Sequence, residues 1–180
     1  MSDSNAGWLP ARLKRARKTI VVVDIRRQID IGRTLDLEDF ALWLDDFYFT
    51  CADTLGTGHI IKFLGDACLA LYDEDASSDA VERLLALCRR YETLCSSHHV
   101  RSHGLRCAVD IGDVVVGEFG PTRQRDVLGH TVMAAFLMQG SDIVISQRVY
   151  RQLPNGQRSQ WHENYGQESY SLTLEGNGAA

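Results

Sequence analysis

The chain has 180 residues, of which 44% are hydrophobic and 24% charged, and its net charge is -5. It is long enough to build a core without staples, ordinary for a soluble globular domain, and of the wrong sign to coat nucleic acid. The longest apolar runs, "TIVVVDI" and "DVVVGEF", are too short to span a bilayer, and "WLP" stands before the basic residues, the reverse of a secretory signal.

In chain order, the first feature is the basic cluster "RLKRARK", Arg12 to Lys18, read as a solvated helical lead-in within residues 1–17. The β-branched run "KTIVVVDIR" then predicts a strand buried on both faces. From Leu35 to Leu55 the period becomes helical, with Phe40, Trp43, Leu44 and Phe47 on one stripe and Asp36, Glu38 and Asp39 near the positive end of the dipole. "LGTGH" breaks that helix. "HIIKFLGDACLALY", His59 to Tyr72, is apolar except at its middle, and reads as a hairpin turning at Gly65-Asp66. A second amphipathic helix carries Val81, Leu84, Leu85 and Cys88, and ends in "SSHHVRSHG". "LRCAVDIGDVVVGEFG" is a strand pair punctuated by Gly112, Gly117 and Gly120. A polar turn "PTRQRD", a short helix from about Thr131, a strand "DIVIS", a short helix to Leu153 and a strand near "SYSLTL" complete a domain of residues 18–175, with 176–180 a loose tail. Five cysteines, odd in number and without a C-x-x-C pair, read as reduced core thiols of a cytoplasmic protein.

The order β-α-β-β-α-β is that of a ferredoxin-like α/β core, here extended at its C-terminal end, with helices covering one sheet face. Asp24 ends the first strand, and Asp66 sits in the hairpin turn on a strand expected beside it. Alone, the first is a strand end and the second a turn residue. Delivered to one point, they form a hard oxygen site suited to Mg²⁺ or Mn²⁺, ions that share their coordination with substrate phosphates. Two other patterns carry less. His98, His99 and His103 lie in a Ser-rich loop, and "GEFGPTRQRD" lacks the Gly-Lys-Ser/Thr ending of a P-loop.

From Lys18 to Tyr170 the sequence resembles the catalytic domain of class III nucleotidyl cyclases, through "VVVDIR", "IIKFLGDACLALY", "GDVVVGEFG" and "RDVLGHTV" in that order. The resemblance implies that Asp24 and Asp66, helped by the carbonyl of Ile25, hold the metals. It implies a head-to-tail dimer, either with itself or with another cyclase-like chain. Lys62 and Asp126 fall at the base-reading positions, and a lysine donor beside a carboxylate acceptor favours ATP over GTP or another nucleoside triphosphate. Three family positions are changed. The asparagine that orients the ribose and the arginine that meets the pentavalent phosphorus are Met133 and Leu137, and a lysine for the outer phosphates aligns with Tyr165. Arg123 and Arg125 lie near in sequence and are candidates to replace the lost cation. The expectation is a cyclase-type domain that is slow or inactive when paired with itself. The alternatives are a cyclase-fold regulatory or dimerisation module, and the metal-bearing half of a heterodimer.

Overall fold

In the computed structural model residues 9–138 and 143–174 are described; the tail expected at 176–180 lies outside them. The first strand, β1 (Leu13–Ile25), is paired along its whole length with β4 (Leu105–Phe119) and, from Lys18 to Asp24, with β3 (Ala67–Asp73). It therefore begins inside the basic cluster, which is strand and not helix. The reason lies far away in the chain. Arg15 reaches Asp113 at 2.8 Å, Arg17 reaches Glu74 at 2.6 Å, and Lys18 pairs with Asp73. Each cation finds an acid on a neighbouring element, which local charge patterning cannot reveal.

After β1 come a short helix α1 (Gln28–Gly32), the long helix α2 (Leu37–Leu55), β2 (Ile60–Leu64), β3, the helix α3 (Ser77–Ser97) and β4. The spatial order β2-β3-β1-β4 is the ferredoxin-like arrangement expected from the element order. The extension is β5 (Gln124–Leu128), α4 (His130–Leu137), β6 (Ile143–Ser146), α5 (Gln147–Gln152), α6 (Asn155–Arg158), β7 (His162–Asn164) and β8 (Ser169–Leu172). β5 pairs with the far end of β4, β6 runs parallel to its near end, and β8 and β7 continue the sheet outward. The short elements α1, α6 and β7 carry too few residues for a periodicity to register in the sequence.

Side chains alternate along β1, and both sets are apolar. Val21 and Val23 join Trp43 and Phe47 of α2, Leu84 and Tyr91 of α3, and Val109 in the larger core. Ile20 and Val22 join Leu69, Leu71 and Val114 on the opposite face, under Val132 and Ala135 of α4. Helices therefore cover both faces, not one. A strand without a polar side requires two covers. α2 starts where Asp36 accepts a bond from the Asp39 amide at 2.9 Å. α4 can lie close to the sheet because Gly112 faces it: a Cβ there would stand 2.2 Å from the Thr131 hydroxyl. All five cysteines are buried and free. Among the described residues no helix is long and apolar enough to cross a membrane.

Candidate functional site

Asp24 lies on the α4 side of the sheet with Ile20 and Val22, one residue before β1 ends at Ile25. Its strand neighbours are Ala67 on β3 and Arg106 on β4. Asp66 follows Gly65, whose φ of +63° makes the tight β2–β3 turn. The Ile25 amide donates to the Asp66 carbonyl at 3.1 Å and ties that turn to the end of β1. Asp24 and Asp66 thus stand at adjacent strand ends, and both line one cleft of about 250 Å³. Arg106, Ala108, Phe136 and Met138 complete much of its wall. The Arg106 guanidinium donates to the Asp24 carboxylate. Sequence reasoning missed Arg106, because the signal is a cross-strand register and not a local motif.

Tyr48 was missed as well, since α2 was read only for its core stripe. Its hydroxyl donates to the Gly65 carbonyl at 2.6 Å, and its ring stacks on Phe63 with centroids 4.1 Å apart. Burial, then the charges of Asp66 and Asp45, push the phenol pKa up. At neutral pH the group is therefore a hydrogen-bond donor.

The structure brings Lys62 and Asp126 together. The Lys62 ammonium donates to one Asp126 oxygen at 2.7 Å, and the other oxygen accepts from the Val127 amide at 2.7 Å. The β4–β5 ribbon delivers Asp126 to β2, and the pair stays partly open to solvent. A partly exposed lysine beside a carboxylate presents one donor and one acceptor, a combination that fits the edge of a nucleobase.

Met133 and Leu137 do not enter the core: they are 61% and 70% exposed. Phe136 and Leu128 are exposed too, and an apolar groove of about 270 Å³ lined by Val127, Leu128, His130, Val132 and Met133 runs beside them. Met133 and Leu137 therefore lie outside the chain's own core, whereas Met138 packs against the smaller core cluster. Arg123 and Arg125, at the β4–β5 turn, are exposed and do not line the cleft. Tyr165 is exposed, between β7 and β8.

A divalent ion fits the donor set on chemical grounds: two carboxylates and a backbone carbonyl are hard oxygen ligands. No cluster of three or more His, Cys, Asp or Glu that could hold a metal occurs among the described residues, so such an ion would take its remaining ligands from water or phosphate. His98 is engaged elsewhere, with Asp46 at 2.8 Å. A second carboxylate on the α4 side of β4, Asp110, is only 2% exposed and is held by Arg148 through two oxygens at 2.9 and 2.8 Å. That pair does not line the cleft, and its bidentate geometry reads as structural.

Among solved structures, the chain is similar to the adenylyl cyclase CyaB from P. aeruginosa, with TM-score 0.75 and 19% identity over 91% of this chain and 96% of that one. It is similar to the catalytic core of a rhodopsin-guanylyl cyclase with converted specificity, in complex with ATPαS, with TM-score 0.75 and 20% identity over 92% and 100%. A bacterial light-regulated adenylyl cyclase gives TM-score 0.74 and 17% identity over 89% of this chain, which spans only 53% of that protein. No family model and no curated protein matches the sequence. At these identities the likeness is one of fold.

Proposed function

With the class III nucleotidyl cyclase catalytic fold as its frame, we propose that the chain is a metal-dependent purine nucleotide cyclase domain that takes ATP in preference to GTP. The reaction joins the ribose 3′-oxygen to the α-phosphorus and breaks the bond from that phosphorus to the oxygen bridging to the β-phosphate. Cyclic AMP and pyrophosphate are the products, and the proton of the 3′-hydroxyl is released to solvent. The observation that carries the reading is the placement of Asp24 and Asp66 at adjacent strand ends in one cleft, with Arg106 on its wall.

Asp24, Asp66 and the Ile25 carbonyl would hold Mg²⁺ or Mn²⁺. When bound, the ion supplies Lewis-acid stabilisation of charge on phosphate oxygens and a more acidic 3′-hydroxyl. The chain's own groups do the rest. Arg106, which neutralises Asp24, is placed to meet triphosphate oxygens entering the same cleft. Lys62 would donate to adenine N1, and Asp126 would accept from the exocyclic amine. α4 offers Met133 and Leu137, which donate no hydrogen bonds and so neither orient the ribose nor meet developing charge. An arginine acting on a transferring phosphoryl group is worth about 10³–10⁵ in rate, so a self-paired dimer is expected to be slow by a comparable factor.

The same exposed α4 face supports a second reading, a domain that pairs with another cyclase-like chain or regulates it without turning over nucleotide. Purified protein incubated with ATP, GTP, CTP or UTP and Mn²⁺, followed by chromatography of the cyclic products, separates the two. Slow cyclic AMP formation that vanishes in Asp24→Ala and in Asp66→Ala supports the cyclase. No cyclic product from any nucleotide supports the second reading.

A further inference from the structure

We infer that Tyr48 is a positioning residue whose hydroxyl holds the Asp66 turn and thereby sets the affinity of the cleft for a divalent cation. The inference rests on the metal reading above and adds a residue that reading did not contain. Packing around Gly65 is sparse: apart from the adjoining residues, no heavy atom lies within 4 Å of where a Cβ on Gly65 would stand. Hydrogen bonds locate it instead. From one side the Ile25 amide donates to the Asp66 carbonyl at 3.1 Å; from the other the Tyr48 hydroxyl donates to the Gly65 carbonyl at 2.6 Å.

Tyr48 is itself well anchored. Its neighbours on α2, Trp43, Phe47 and Cys51, are fully buried, so the helix cannot roll, and the Phe63 stack fixes the ring. The hydroxyl is therefore a fixed point on the helical layer from which the turn is held. If it is removed, the Gly65 carbonyl turns to water and the Asp66 carboxylate spends less time where it can share an ion with Asp24. Among the described residues no third carboxylate lines the cleft to compensate.

The test is a Mn²⁺ titration, without nucleotide, followed by water-proton relaxation for wild type, Asp24→Asn, Tyr48→Phe and Tyr48→Leu. Each melting temperature is also measured in chelator. Tyr48→Phe keeps the ring and its stack, so it is expected to melt within about 2 °C of wild type while binding Mn²⁺ about three- to tenfold more weakly, as the loss of one hydrogen bond allows. Tyr48→Leu is expected to show the same affinity loss with a lower melting temperature. If wild type binds Mn²⁺ through Asp24 and Tyr48→Phe binds it equally well, the positioning role is overturned and the metal reading stands. If Tyr48→Phe melts lower with unchanged affinity, Tyr48 is only a stabiliser and the inference fails. If wild type shows no Asp24-dependent binding, the metal reading fails and takes the inference with it.

Discussion

Asp24 has a resident counter-ion, and that has opposite effects on two ligands. On the proposed metal site, Arg106, already paired with Asp24, would compete with the ion for that carboxylate and would attract a triphosphate. Arg106→Ala is therefore expected to tighten Mn²⁺ binding in the absence of nucleotide and to weaken ATP binding in its presence, each by roughly three- to tenfold for one charge-assisted bond. Calorimetric titrations with the two ligands check the signs; a change in the same direction for both would refute the competition. At α4, exposure settles a folding question. Met133→Asn with Leu137→Arg puts polar groups where the wild-type side chains of the single chain already meet solvent, so folding of the subunit carries no burial cost. The double variant is expected to fold like the parent and to cyclise ATP faster, as measured by product formation per dimer. Gly112→Ala should do the reverse, costing about 1–3 kcal/mol in urea unfolding, because its methyl would meet the Thr131 hydroxyl at 2.2 Å. The legibility of such residues was uneven. Asp24 and Asp66 stood out because each interrupts an apolar run. Arg106 and Tyr48 did not, since an arginine opening a strand and a tyrosine on a helix flank have many ordinary reasons to be there.

At the scale of elements, β1 is where the sequence misled. Its apolar half announced itself through "TIVVVDI", whereas its basic half looked like a solvated helix because the acids that pair with it are remote in sequence. Those pairs have a pH signature. The Asp113 carboxyl is held below its ordinary range by Arg15, and the Asp73 carboxyl by Lys18. A lowered folded-state pKa contributes stability that is fully present above the unfolded value and is lost as pH falls through the folded one. Both groups are exposed, so the effect is local and salt-sensitive. Amide protection over residues 13–18 is expected to fall as pH drops through and below the ordinary aspartate range of about 4, and to fall less when the comparison is repeated in high salt. Unchanged protection would mean that backbone pairing alone holds this half of the strand. The hairpin of β2 and β3 was fully legible, because Gly-Asp inside an apolar run has few other solutions.

For the whole molecule, the ferredoxin-like order of strands followed from the order of elements, but the number of covered faces did not. A helix of eight residues, α4, falls in the C-terminal extension of the expected core, yet it closes the second core and carries the exposed apolar groove. If that face pairs subunits, Met133→Glu with Leu137→Glu is expected to shift sedimentation to the monomer and to leave the circular dichroism unchanged. An unchanged sedimentation coefficient would place any association elsewhere. There is also a mechanical side to β1. From Leu13 to Asp24 it runs roughly 36 Å at the usual strand rise, without a loop, and is zipped to β4 throughout. Sliding is forbidden, since a one-residue slip would turn Ile20, Val22 and Asp24 to the wrong side of the sheet. Torsion is not forbidden. A twist applied at Leu13 would therefore be carried by the paired strands toward the carboxylate of Asp24 and the guanidinium of Arg106 near their far end.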